Sequence, residues 1–125
     1  MFFLQRVEDY ARAFAAAKAA ADALRNEPDE GPENLYGVCV SPVGNEVKTE
    51  VIERALQMAA VSYSLGLDFG DDDIFLLHLT HGKASLRERT ADVVQDVLES
   101  HAVAVETHFG QHDSTWRPKP GDGNS

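Results

Sequence analysis

The clearest hydrophobic pattern in the chain is a helical stripe close to its first residue. Apolar residues recur at alternating spacings of four and three, with polar residues between them. The stripe consists of Phe3, Val7, Tyr10, Phe14, Ala17, Ala21 and Leu24. This spacing places the residues on one face of an α-helix, and the alanines among them favour helix. We therefore predict a first helix over residues 3–26, which ends before the turn-forming segment around Pro28.

Three short apolar runs further along the chain are typical of β-strands, at residues 35–40, 74–79 and 103–109. Helical patterns separate them, one from Asn45 to Gly66 and one that begins at Ser85. Strands that alternate with helices favour right-handed β-α-β crossovers. We therefore predict an α/β fold with a small three-stranded, mostly parallel sheet and three helices. If residues 74–79 are helical instead, the fold is mostly α.

The chain is predicted to form one globular domain over residues 1–110. With 125 residues, 43% of them hydrophobic, it is large enough to bury a core without disulfides or metal. Residues 27–34 are rich in acidic and turn-forming residues and are interpreted as an acidic linker. Residues 111–125 are polar and rich in proline and glycine, which is typical of a flexible tail.

Charge narrows the choice of partners. The chain has 21 acidic against 11 basic side chains, a formal net charge of −10. Such a charge repels polyanions, so we expect neither direct nucleic-acid binding nor binding to an anionic membrane. A protein partner with a basic surface would be attracted, although net charge also serves solubility.

A single cysteine, Cys39, excludes a disulfide within the chain and a metal site built from several thiolates. This fits a reducing compartment, and we expect a cytoplasmic protein. No stretch approaches the roughly 20 apolar residues of a membrane-spanning helix. Cys39 lies in an apolar run, so we expect a buried thiol that takes no part in catalysis.

The sharpest candidate site is the loop that enters the third helix. In a parallel sheet the loops at the carboxyl ends of the strands share one edge, where ligands usually bind. A glycine-containing loop before a helix offers backbone N–H groups to an anion. An ordinary helix-capping turn uses the same residue types, and Ser85 followed three residues later by Glu88 is the capping-box pattern, which predicts Ser85 as the cap of the third helix. The phosphate-loop motif is incomplete. The candidate ligand-binding residues are Thr80, His81, Gly82, Lys83, Ser85 and, from the last loop, His112.

Neither a catalytic motif nor a metal site emerges from the sequence. All histidines lie in the second half of the chain, but their spacing does not bring three or four ligands together. The acidic run from Asp68 to Asp73 departs from the calcium-loop pattern. We therefore predict no catalytic residues, no metal and no cofactor.

Two features are candidate interaction elements. The stripe residues Phe3, Val7, Tyr10 and Phe14 would form either a homodimer seam or a contact with the protein's own sheet. Trp116, which lies beside a proline-rich stretch, would either dock on a partner or fold back on its own domain.

Two functional hypotheses follow. The first is a non-catalytic association or inhibitor protein whose acidic surface binds a partner protein, one with a basic surface. The alternative is a binding protein or enzyme for an anionic or phosphorylated small molecule, which would use the loops around Thr80–Ser85 and His108–His112. We favour the first hypothesis because it depends on composition alone.

Overall fold

The computed structural model of the chain describes residues 2–34, 36–65, 73–77 and 79–109. Helices and strands follow one another along these residues. They are α1 (Phe2–Asp22), β1 (Tyr36–Val40), α2 (Thr49–Met58), β2 (Tyr63–Leu65), β3 (Ile74–Leu76), α3 (Ser85–Ser100) and β4 (Val105–Phe109).

The prediction of a three-stranded, mostly parallel sheet is wrong. The described strands form a four-stranded sheet in the order β2-β3-β1-β4, and every neighbouring pair is antiparallel. Val38 of β1 lies opposite Leu76 of β3 on one side and opposite Thr107 of β4 on the other. The fold is still α/β overall, and the mostly α alternative is wrong because residues 74–76 form a strand.

A strand that the sequence analysis missed explains the difference. We predicted a second helix that continues to Gly66, but α2 ends at Met58 and β2 follows. Ala60 adopts a positive φ of 59° immediately after the helix. Its N–H donates to the Gln57 carbonyl at 3.1 Å, and the Val61 N–H donates to the Leu56 carbonyl at 2.9 Å. These two bonds form a Schellman motif, which ends α2 early enough to leave residues for β2.

The sheet combines two interleaved β-α-β units. β1 and β2 run in the same direction and are joined through α2, while β3 lies between them. β3 and β4 likewise run in the same direction and are joined through α3, while β1 lies between them. This is the split β-α-β topology of ferredoxin-like folds, here preceded by α1.

The hydrophobic core lies between one face of the sheet and the helices. Alternate strand residues contribute to it, among them Val40 and Ile74, both fully buried. α1 packs against both α2 and α3, and α3 packs against β1 and β4. Fully buried alanines of α1 allow this close approach, namely Ala13, Ala17 and Ala21.

The other face of the sheet carries the intervening strand residues, and we call it the second face. Cys39 of β1 lies opposite Phe75 of β3 and Glu106 of β4. Directly opposed residues of antiparallel strands point to the same side, so these three side chains share the second face. None of the helices in the described ranges has both the length and the apolar character to cross a membrane.

Candidate functional site

The loop before α3 binds an anion that the chain itself supplies. Oδ2 of Asp29 accepts a hydrogen bond from the Lys83 N–H at 2.8 Å. Its Oδ1 accepts from the N–H groups of Ala84, at 2.9 Å, and Leu86, at 3.1 Å. A carboxylate that receives several N–H groups at the start of a helix is favoured by hydrogen bonding and by the helix dipole. Asp29 therefore occupies the position that a bound phosphate or carboxylate would take.

Gly82 gives Asp29 the space to approach. Its φ is +80°, a conformation that residues with a β-carbon adopt at a cost. A β-carbon at this position would lie 2.8 Å from Asp29 Oδ2 and 2.9 Å from the Leu86 Cβ. The glycine therefore serves both the turn and the close approach of the carboxylate.

Residues 27–34, which we call the strap, make further hydrogen bonds to the same loop. The Glu30 N–H donates to Ser85 Oγ at 2.9 Å, and the Ser85 N–H donates to the Glu30 carbonyl at 3.1 Å. The Asn34 N–H donates to the Lys83 carbonyl at 2.8 Å, and its side-chain Nδ2 donates to the Ala84 carbonyl at 2.7 Å. The strap thus follows the loop along its length and is held by both main-chain and side-chain bonds.

The capping of α3 in the structure differs from the capping that the sequence predicted. We predicted Ser85 as the cap of the third helix, with Glu88 completing a capping box. In the structure the capping position is Ala84, whose side chain makes no cap, and the Ser85 hydroxyl accepts from the strap instead. Asp29, which lies 55 residues before Ala84 in the sequence, provides the cap. No local spacing could have identified it.

The electrostatics agree with this arrangement. The pKa of the Asp29 carboxyl lies below its ordinary value of 3.8, and the largest cause is the hydrogen bond from the Lys83 N–H. Desolvation opposes this change, while the N–H groups of Ala84 and Leu86 add to it. Asp29 is therefore ionised at neutral pH and neutralises the positive end of α3.

His81 connects this loop to α1. Its Nε2 lies 3.2 Å from Asp22 Oδ1 at the end of α1, although Nε2 forms no hydrogen bond by geometry. The His81 N–H donates to the hydroxyl of the fully buried Thr90 at 3.0 Å. The other loop residues named from the sequence, Thr80 and Lys83, are half-buried and exposed respectively.

The sheet separates the loop after β1 from the loop that contains residues 80–85, whereas β3 and β4 run in the same direction and end at the same edge. β1 runs antiparallel to β3 and β4, so the loop after β1 lies at the opposite edge of the sheet from the loop after β3. The Asn45 side chain, in the loop after β1, bonds to both the N–H and the carbonyl of Ala104, just before β4. His112 and Trp116 lie outside the described residues, as does the side chain of His108.

The candidate interaction stripe of α1 lies inside the protein. Val7, Tyr10 and Phe14 are 2%, 8% and 0% exposed and belong to the core. These three residues pack within their own chain, where α1 lies against α2 and α3. The side chain of Phe3 lies outside the described part of the structure.

A pocket of about 210 Å³ opens on the second face, where β1 ends and β3 and β4 begin. Its lining includes Cys39, Ser41, Gly44, Asp73 and Glu106. Cys39 Sγ lies 4.0 Å from Asp73 Oδ2. No sequence pattern groups these residues, because antiparallel register rather than spacing brings them together.

The chemistry of the pocket does not resemble a thiol active site. Catalytic thiolates are stabilised by positively charged neighbours or helix N-termini. The charged residues lining this pocket are the carboxylates of Asp73 and Glu106. Cys39 is also only 5% exposed, in agreement with the expectation of a buried thiol.

The outer side of α3 carries a row of exposed carboxylates, which we call the acidic stripe. It consists of Glu88, Asp92, Asp96 and Glu99. Their spacing of four, four and three residues aligns them along one side of the helix. Among the described residues, no basic side chain forms an ion pair with any of them. Asp9 and Asp22 of α1, in contrast, pair with Arg12 and Arg25.

Within the part of the chain that the structure describes, no group of three or more histidine, cysteine, aspartate or glutamate side chains could hold a metal ion. Comparison of the chain with family models, curated proteins and solved structures gives no match.

Proposed function

We propose that this chain is an association or inhibitor protein whose acidic stripe binds a basic surface of a partner protein. The observation that carries the proposal is the row of carboxylates on α3, none of which forms an ion pair with a basic side chain among the described residues. Like charges at this spacing repel one another and destabilise the helix slightly. A basic partner would relieve this repulsion on binding. The proposal places the protein in the reducing cytoplasm, in keeping with its single buried cysteine.

The alternative, a small-molecule anion site at Thr80–Ser85, receives less support. The backbone donors of that loop already bind the Asp29 carboxylate. An external anion would have to displace a carboxylate that is covalently part of the chain and is held in place by the rest of the strap. The effective concentration of such a tethered group is high, so a free anion competes poorly.

The test compares wild-type protein with two variants of equal net charge. The first neutralises the stripe through Glu88→Gln, Asp92→Asn, Asp96→Asn and Glu99→Gln. The matched control neutralises four exposed acids elsewhere, through Glu8→Gln, Glu30→Gln, Glu33→Gln and Glu46→Gln. Each tagged protein is used for native capture from an extract of its source cells, and bound proteins are identified by mass spectrometry.

We expect wild type and control to capture the same partner, rich in lysine and arginine on its surface, and to release it as salt rises to about 0.5 M. The stripe variant should capture at least about tenfold less. Equal capture by all three proteins, or binding that does not respond to salt, would show that the stripe is not the binding surface.

A further inference from the structure

We propose that β4 recognises the partner by accepting an extended basic segment as an additional strand. The inference rests on the proposed function and specifies its binding mode. β4 pairs with β1 on one side and, among the described strands, has no neighbour on the other. A strand with an unpaired edge presents N–H and carbonyl groups to which an extended peptide can bond.

β4 is the better suited of the two outer strands. It has five residues, Val105–Phe109, whereas β2 at the other edge has three. Lysine and proline commonly protect exposed edges against strand addition, and β4 contains neither. The pairing with β1 continues over all five residues, so β4 is a regular template.

The acidic stripe borders this edge on the helix side. Thr107 points to the helix face, and its hydroxyl donates to Gln95 Oε1 of α3. The Gln95 amide in turn donates to Glu99 Oε2 at 3.1 Å. At about 100° per residue, Glu88, Glu99 and Asp92 all lie within about 60° of Gln95 around the helix. The carboxylates therefore begin directly beside β4 and continue outward from it.

A carboxylate borders the edge on the second face as well. Glu106 is exposed and points to the side opposite to Thr107. An added strand would lie about 4.8 Å from β4, with its side chains alternating between the two faces. Those on one face would meet the acidic stripe, and those on the other would meet Glu106. Charge complementarity therefore selects a basic segment, while the net charge of −10 opposes a second copy of this chain at the same edge.

The experiment uses the whole chain and two synthetic probes. The first probe is a short peptide in which pairs of lysines alternate with pairs of valines, so that an added strand presents lysines on both faces. The second has the same sequence but carries N-methyl groups on two consecutive central residues, which removes donors from both of its edges while preserving charge and side chains. Affinities are measured by calorimetry at low and raised salt, and hydrogen exchange is followed at the amides of Val105–Phe109.

We expect the unmodified peptide to bind at least about tenfold more tightly than the methylated one and to slow exchange at β4 amides. Neutralising the acidic stripe should weaken both peptides. If the two peptides bind with equal affinity and raised salt releases both, strand addition is overturned but the proposed function stands. Failure of both to bind at low salt would contradict the proposed function as well. Self-association that protects β4 amides without peptide would assign the edge to a second copy and overturn the inference.

Discussion

The Asp29 carboxylate lies so close to Gly82 that a β-carbon at position 82 would come within 2.8 Å of its Oδ2 atom. This contact joins the strap to the start of α3, although the two segments are far apart in sequence. The strap and the loop thus behave as one structural unit, and the consequences can be measured.

Replacing Asp29 by alanine should lower the melting temperature, because the N–H groups of Lys83, Ala84 and Leu86 lose their common acceptor. Thermal unfolding followed by circular dichroism measures the change. Glu30→Ala is the matched control, since Glu30 contributes only backbone bonds to the loop. Added sulfate should restore part of the stability of Asp29→Ala and raise that of wild type less. Equal melting temperatures for the two variants would contradict the capping role.

The pH dependence of stability should carry the signature of Asp29. Its pKa is below 3.8 in the folded protein, so the folded state favours the ionised carboxylate. The unfolded chain takes up the proton more readily than the folded protein does. The contribution of the Asp29 carboxylate to stability is therefore complete above the pKa of the unfolded chain and is lost as the pH falls below 3.8. Urea unfolding of wild type and Asp29→Asn should differ most near neutral pH and converge in acid. A gap that widens as the pH falls would refute this assignment.

Gly82→Ala should destabilise the protein by about 1–3 kcal/mol through its positive φ, with the collision against Asp29 added to this. Gly31→Ala is the control, because Gly31 also has a positive φ but nothing within 4 Å of the added carbon. Urea unfolding should show a smaller loss for Gly31→Ala. In the Asp29→Ala background part of the cost of Gly82→Ala should vanish, and strict additivity would argue against the contact.

Glycine should stabilise the two positions that end α2 and α3. Ala60 and Ala102 have φ of 59° and 64° immediately after these helices. The left-handed conformation costs alanine about 1–2 kcal/mol, which exceeds the entropic cost of introducing glycine. Ala60→Gly and Ala102→Gly should therefore each raise the free energy of unfolding by about 0.5–1 kcal/mol. The control Ala15→Gly, on the exposed side of α1, should lower it by about 1 kcal/mol.

Thr90→Val should cost about 1–3 kcal/mol, because the fully buried hydroxyl accepts the His81 N–H and valine cannot. Thr90→Ser preserves the hydroxyl and should cost less. Hydrogen exchange at the His81 amide distinguishes the two variants, since only valine should accelerate it. Acceleration by serine to the same extent would indicate that the methyl group, not the hydroxyl, matters.

Local patterns predicted the elements that depend on local spacing. The stripe from Phe3 to Leu24 identified α1, although the helix ends at Asp22 and not at residue 26. The apolar pattern after Ser85 identified α3, although the capping position is Ala84 and not Ser85. These succeed because a helical repeat of apolar residues is present in the sequence itself. The predicted end of α2 at Gly66 was wrong, because the left-handed position that follows the helix is occupied by Ala60 and not by glycine, which is the usual sequence signal.

The strand order and the cap of α3 depend on contacts between residues that lie far apart in the sequence, and no local pattern reveals such contacts. β2 has only three residues, too few for a recognisable alternation. A sequence interpretation that lacks β2 predicts that β3 lies parallel to β1. It therefore also predicts that the loop after β1 lies beside the loop after β3. Asp29 was likewise assigned to an acidic linker, since its hydrogen-bond donors begin at Lys83.

The interleaving of the two β-α-β units has a consequence for the order in which the protein acquires its structure. β1 pairs with β3 and β4, both of which follow it in the chain. During synthesis on the ribosome β1 therefore emerges with both edges unpaired, and it gains its last neighbour only when β4 has been made. The sheet cannot grow strand by strand, and folding must wait for long-range pairing, which is slow compared with helix formation. A chain interrupted before Val105 would expose the edge of β1 to other nascent chains.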